Sequence, residues 1–386
     1  MSFLRRISTR HLLALCAAVI VAGGGAAAIA MAAGGTGPEP PAKPLAQALH
    51  DALAAPPVEG VTARISFTNH LVDAASLQGR DPLLTGATGR LWAAGDRLRL
   101  ELQASDAGGG AGDVQVVVDG NRLSIIDTGS NTVYRATLPD RRPSGPVPSL
   151  ARVQDALAKL AAHADVSGAR PGNVADQPAY TVRLSPRHDG GLLGGVELAW
   201  DAAHGVPLRA AVYSSDSAAP VLELQATKIS FGKVADADLT LPDPAGAKVV
   251  DLSPPAAGGA DAPPVTGLAA VQAKVAFTVT APDRLVGLPR KQVRLVDIGG
   301  TPGALVTYGE GLGGIAVLES PAQPQGGGGA KGDRGLALPR ISINGISGQE
   351  LDTALGTVVR FERGGVAYTI VGSVPPAAAE AAARGL

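Results

Sequence analysis

Cysteine is almost missing from this chain: the single one, Cys16, lies inside an apolar N-terminal run. No disulfide can form within the remainder, so packing alone must hold the folded part. No cysteine is left to join a histidine in a zinc site. None of the six histidines (His11, His50, His70, His163, His188, His204) stands at H-x-x-x-H spacing. Aromatic residues are only 3% of the chain, which leaves Leu, Val, Ile and Ala to fill any core. Basic stretches are missing too. The formal net charge is −1, and Arg5, Arg6 and Arg10 are the only charged groups in the first 33 residues. With no basic patch interleaved by aromatics, nucleic acid is excluded as a partner.

Catalytic signatures are absent as well. No G-x-S-x-G elbow offers a serine nucleophile. Gly309-Glu310-Gly311-Leu312-Gly313-Gly314 spells G-x-G-x-x-G, but a dinucleotide loop must open a helix, and Ile315-Ala316-Val317-Leu318 after it reads as a strand. A flexible hairpin accounts for it. Ala330-Lys331-Gly332-Asp333 lacks the Ser or Thr that follows a phosphate-loop lysine. Asp236, Asp238 and Asp243 miss the calcium-loop spacing and read as a solvated turn. The expectation is a protein that is not an enzyme, with no catalytic residues, no metal and no cofactor.

What is present begins at the N-terminus. Arg5, Arg6 and Arg10 precede Leu12–Ala33, an uncharged and mostly apolar run. Basic flank, apolar run and small-residue exit fit an export signal, with Ala28-Ile29-Ala30 or Ala30-Met31-Ala32 as cleavage sites. The run also reaches the ~20 residues of a transmembrane helix. Both readings stand. Residues 1–33 are a signal peptide or a membrane anchor, and either sends the rest of the chain outside. Cys16, flanked by Leu15 and Ala17-Ala18-Val19-Ile20, does not sit as a lipidation cysteine would.

The rest is punctuated by turns. Pro44 opens a helix to about Ala54 with Leu45, Leu49, Ala52 and Leu53 on one face, and Ser149 caps another over Leu150–Ala162. Between them runs a meander of strands: Val61–Leu71, Gly89–Ala93, Arg97–Gln103, Val114–Val118, Leu123–Asp127 and Thr132–Leu138. In Arg97–Gln103 leucines alternate with polar groups, which puts Leu98, Leu100 and Leu102 on one sheet face. Gly95-Asp96 and Asp119-Gly120-Asn121 supply hairpin turns. Strands resume at Ala179–Ser185, Gly195–Trp200, Pro207–Tyr213 and Val221–Phe231. In the last, Leu222, Leu224 and Ala226 have one parity and Ile229 and Phe231 the other, which calls for a bulge near Thr227–Lys228. Ser253–Thr266, built of Pro, Ala, Gly and Asp, is a linker by composition. Beyond it come Gly267–Phe277 (a short helix or strand), strands at Gln292–Asp297, Ala304–Tyr308, Gly314–Glu319, Ile341–Ile343, Val358–Glu362 and Val366–Val371, and a helix over Ala377–Leu386. Gly364-Gly365 is a hairpin turn.

The order of these elements resembles the outer-membrane lipoprotein carrier family (LolA-like), including the related periplasmic regulators of sigma-factor release. The resemblance lies in Gly89-Arg90-Leu91-Trp92, Val118-Asp119-Gly120-Asn121-Arg122-Leu123, Asn131-Thr132-Val133-Tyr134-Arg135, Pro178-Ala179-Tyr180, Trp200-Asp201, Gly205-Val206-Pro207-Leu208-Arg209 and Ile229-Ser230-Phe231-Gly232, and covers about Pro44 to Leu252. It implies an incomplete antiparallel barrel plugged by helices that holds acyl chains. Gly345-Ile346-Ser347-Gly348 and Gly364–Thr369 look like the small domain that follows such a module in envelope regulators and actinobacterial homologues. That extra domain, the apolar run and the scarcity of aromatics favour a tethered binding or sensing protein over a free shuttle.

The expected fold class is α+β: a curved antiparallel half-barrel covered by helices (43–252), a linker (253–266) and a small C-terminal α+β domain (267–386). Strand parity nominates one apolar wall: Leu91, Leu98, Leu100, Leu102, Val116, Val118, Tyr180, Val182, Leu198, Val212 and Leu224. Such a wall suits a lipid or lipoprotein acyl chain. At ~0.8 kcal/mol per buried methylene, about sixteen carbons give on the order of 12 kcal/mol before the costs of association. The alternative is an envelope-stress regulator whose 267–386 region binds a membrane partner such as an anti-sigma factor.

Overall fold

The computed structural model describes residues 37–72, 86–104, 113–138, 147–162, 164–187, 191–251, 264–298, 300–322 and 338–386. The run 12–33 lies outside them. Among the described residues no helix is long and apolar enough to cross a membrane.

The first unit is one sheet of thirteen strands: β1 (Val61–Asn69), β2 (Ala87–Ala94), β3 (Arg97–Ala104), β4 (Val114–Asp119), β5 (Arg122–Asp127), β6 (Thr132–Thr137), β7 (Ala164–Val166), β8 (Arg170–Val174), β9 (Gln177–Pro186), β10 (Leu193–Asp201), β11 (Pro207–Ser214), β12 (Pro220–Phe231) and β13 (Lys248–Asp251). Its order is β13-β6-β5-β4-β3-β2-β1-β12-β11-β10-β9-β7, with β8 also on β9. It curls through 235° as an antiparallel half-barrel. Gly95 at φ +61 and Gly120 at φ +60 make the tight turns after β2 and β4. The parity break in β12 resolves as expected: Arg64 faces Lys228 while Ile65 faces Ala226, so Thr227 is the extra residue of a bulge. Gly89 lets β2 and β3 close up where the sheet bends, because a Cβ there would lie 1.8 Å from the Glu101 carbonyl oxygen.

Two helices lie on the inner face, α1 (Leu45–Ala54) and α2 (Leu150–Ala161), the latter capped by the Ser149 hydroxyl accepting from the Arg152 N–H. Leu53 departs from expectation. It is 55% exposed, and Ala48 takes its place beside Leu45, Leu49 and Ala52. Positions three and seven residues on return to the stripe, whereas eight residues on has rotated off it. After β12 the chain straps across the strand ends through α3 (Asp236–Leu239) and joins β6 in parallel as β13. Asp236 ion-pairs with Arg97 and Asp243 with Arg135, so these carboxylates are not the merely solvated turn expected of them.

The second unit is an eight-stranded sheet of order β14-β15-β16-β17-β21-β20-β19-β18. Its strands are β14 (Arg284–Leu285), β15 (Leu288–Asp297), β16 (Pro302–Tyr308), β17 (Ile315–Pro321), β18 (Arg340–Ile343), β19 (Ile346–Thr353), β20 (Gly356–Arg363) and β21 (Val366–Gly372), with α4 (Leu268–Gln272) and α5 (Pro376–Arg384). The glycine run after β16 is a single 3-10 turn leading into a strand, as the hairpin reading requires. Gly364 and Gly365 both take positive φ, +57 and +76. The units touch where the Leu192 N–H donates to the Ser373 carbonyl and hydroxyl and the Ala354 N–H donates to the Leu71 carbonyl.

Glu319 in β17 is 0% exposed, opposite Ala304 and Tyr368. Its Oε2 accepts from the Thr280 N–H at 2.9 Å, while Oε1 has no partner among the described residues. Burial pushes its pKa up from 4.5 to about 7, against the pull of the Thr280 N–H. The Tyr308 hydroxyl is also unpartnered and is pushed up to about 12, by burial first and by Glu319 second.

Two outcomes follow for stability. Gly89→Ala forces β2 and β3 apart and costs about 1–3 kcal/mol in denaturant unfolding. For Glu319 the folded protein keeps its proton to about pH 7 and the unfolded chain loses it near 4.5. The unfolded state is therefore favoured increasingly across that window, and stability falls by about 3 kcal/mol as pH rises through it. Melting of Glu319→Gln against pH should show that slope gone; an unchanged slope would place its origin elsewhere.

Candidate functional site

Cross-strand register joins the eleven wall residues. Val182 faces Leu198, Leu198 faces Ala210, and Ala210 faces Leu224. Leu224 faces Phe67 and Phe67 faces Ala87. Leu91 faces Leu100, Leu100 faces Val116, and Leu98 faces Val118. Tyr180 lies two residues from Val182, Leu102 two from Leu100, and Val212 two from Ala210, so they share that parity. One apolar face thus runs without a flip from β9 to β6.

The face has two packed regions. At the β9–β10 end, α1 and α2 bring Leu45, Ala48, Leu49 and Leu160 onto Tyr180, Val182 and Trp200. Tyr180 donates to the Pro41 carbonyl at 2.6 Å, which pins the chain leading into α1. Toward β1–β5 the sheet closes on its own side chains, with Leu100, Leu102, Val116 and Val118 all buried. Between these regions lies a strip that is packed less completely. Leu198 packs against the first and Val212 and Leu224 against the second, yet these residues and Ala210 on neighbouring β10, β11 and β12 are only half-buried, as are Leu91 and Leu98 farther round.

A surface hollow of about 470 Å³ lies at the rim, lined by Pro56, Pro57 and Val58 after α1 and by His204 and Phe231. That volume is within the range of small-molecule sites. Phe231 faces Val61, so it belongs to the apolar face. His204 stacks on it at 4.2 Å between ring centroids, and its Nδ1 lies 2.7 Å from Asp201 Oδ1. Asp201 is buried and also accepts from the Ala203 and His204 N–H groups. Gly205, at φ +67, has Ala52 of α1 where a Cβ would stand, with the carbonyl oxygen 2.4 Å away. The turn after β10 is therefore a seat for the C-terminus of α1. Sequence reasoning missed it, because His204 gains its role from Asp201 and Phe231, the latter 27 residues on, and no spacing signals that.

The outer face behind the strip is polar. Glu197 is 0% exposed and meets Tyr213 at 2.8 Å, Arg183 at 3.2 Å and Arg209 at 3.4 Å. Burial raises its pKa, and the Tyr213 hydroxyl and the two arginines hold that rise in check. No group of three or more His, Cys, Asp or Glu able to hold a metal occurs among the described residues.

The difference between packed and accessible wall is measurable. Leu100→Ala, at 5% exposure, should cost about 2–5 kcal/mol in unfolding free energy, whereas Leu224→Ala should cost clearly less because water already reaches it. Equal costs would mean the strip is as tightly packed as the core.

No protein-family model matches the chain, and no curated protein matches it. Among solved structures the chain is similar to MucB in complex with MucA(peri), at 18% identity and a TM-score of 0.43, with 88% of this chain and 94% of that one covered. It is also similar to an uncharacterized conserved protein from Thermus thermophilus (12% identity, TM-score 0.33, 54% and 96% covered). A LolA superfamily protein from Nitrosomonas europaea matches at 13% identity and a TM-score of 0.22, over 52% and 99% of the two chains.

Proposed function

We propose that the protein is an exported, non-enzymatic binder of a lipid or lipoprotein acyl chain, held at the outer face of the cell membrane or released from it. The observation that carries this reading is the half-buried aliphatic strip Leu198–Ala210–Leu224 with Val212, between the helix-covered and self-packed parts of one apolar face. An apolar surface left partly in water on the concave side of a sheet gains most by covering a flexible hydrocarbon. With few aromatic rings on the wall, selection rests on length and branching more than on ring stacking. A separate rim hollow at Phe231 lies beside the Pro56-Pro57 exit of α1.

Native mass spectrometry of the gently extracted protein should show an acyl lipid bound. Leu198→Trp and Val212→Trp, which fill the strip, should lower the occupancy at least tenfold while far-ultraviolet circular dichroism stays unchanged. Protein that is empty under every mild extraction, or variants that bind as well as the parent, would remove the proposal.

A further inference from the structure

We propose that a row of three cations with no ion-pair partner among the described residues, Lys228, Arg64 and Arg90 on the outer face of the half-barrel, docks the protein on an anionic phospholipid surface. The inference is independent of the acyl strip, which occupies the opposite face. Arg64 in β1 stands directly opposite Lys228 in β12 on one side and Arg90 in β2 on the other. All three are exposed. Neighbouring strands are about 4.8 Å apart, so three positive charges fall within roughly 10 Å along one line. Like charges directly opposite each other destabilise a sheet.

The acidic groups at hand do not relieve them. Glu101, opposite Arg90, pairs with Arg99 instead, and Glu223 pairs with Arg209. Three arginines elsewhere on the same face are matched, Arg97 with Asp236, Arg135 with Asp243 and Arg183 with Glu197, whereas the three cations of the row have no such partner among the described residues. Trp92, half-buried on the same face as Arg90, carries the Arg99 guanidinium 5.4 Å over its ring. An indole beside cations is the pair that settles at the headgroup level of a bilayer.

Charge complementarity selects a membrane as the occupant: phosphate headgroups form an extended sheet of negative charge that a row of three cations on a β-surface meets without any pocket.

The test uses the full chain with Cys16→Ser and Thr88→Cys, the latter an exposed outer-face position carrying an environment-sensitive fluorophore. Phosphatidylcholine vesicles are compared with vesicles of phosphatidylcholine and phosphatidylglycerol. The full chain keeps the apolar run, and any insertion of it would occur in both, so the reporter and the ratio between the two compositions are what count. Each cation near an anionic surface is worth about fivefold, hence on the order of a hundredfold for three. The expected result is a fluorescence shift with phosphatidylglycerol alone, reversed by salt and lost in Arg64→Gln/Arg90→Gln/Lys228→Gln. That variant should melt at or above the parent temperature, since removing like-charge contacts does not unfold the sheet. No shift, an equal shift on phosphatidylcholine, or a shift that survives the triple substitution overturns the proposal. A shift on polyglutamate without one on vesicles overturns it in favour of an acidic protein partner.

Discussion

The two-residue period of a strand governs this molecule, because a single slip in register anywhere from β9 to β6 would exchange its apolar and polar faces. Ten neighbouring strands keep the same parity through a 235° curl. At the one place where the sequence breaks step, Thr227 is extruded as a bulge and alternation resumes on both sides. Gly89 serves the same end by another means. It keeps the inner face continuous where a side chain would collide with the neighbouring backbone. A core without disulfides and with few aromatic rings tolerates such bending because branched aliphatics interdigitate on a curved pleat.

That dependence explains which parts are legible in advance. Strands with strict alternation, such as β3 and β4, stand where the sequence puts them, and so do the glycine turns at Gly95, Gly120 and Gly364-Gly365. The α2 helix declares itself through Ser149. β7 and β8 are unreadable because they are short and Arg170-Pro171-Gly172-Asn173-Val174 looks like a loop. β19 is unreadable because its one fully buried position is Gly348, so its strand pattern has no apolar side chain at the inward site. β13 pairs in parallel with β6 across more than a hundred residues, and no local pattern announces a pairing closed over such a distance. The wall residues follow from parity alone. Their division into packed and accessible members depends on where α1 and α2 come to rest.

The outer face shows the same strands used in two electrostatic ways. Around Glu197, desolvation is offset by a tyrosine and two arginines, and the cluster fixes β9, β10, β11 and β12 against one another. Removing one member would leave a buried charge uncompensated, so the cluster holds register more than it adds net stability. Farther along β12 from Glu223, at Lys228, the charges are unopposed. The same sheet thus neutralises its arginines at one place and stacks like charges at another.

The two faces also bear on one another. Lys228 and Phe231 are three residues apart in β12, about 10 Å along an extended strand. The first belongs to the exposed cationic row and the second lines the rim hollow. The strand's two-residue period is what allows this: residues a few positions apart on one strand serve opposite faces, so the same β12 carries a charge outward and an aromatic ring to the apolar rim.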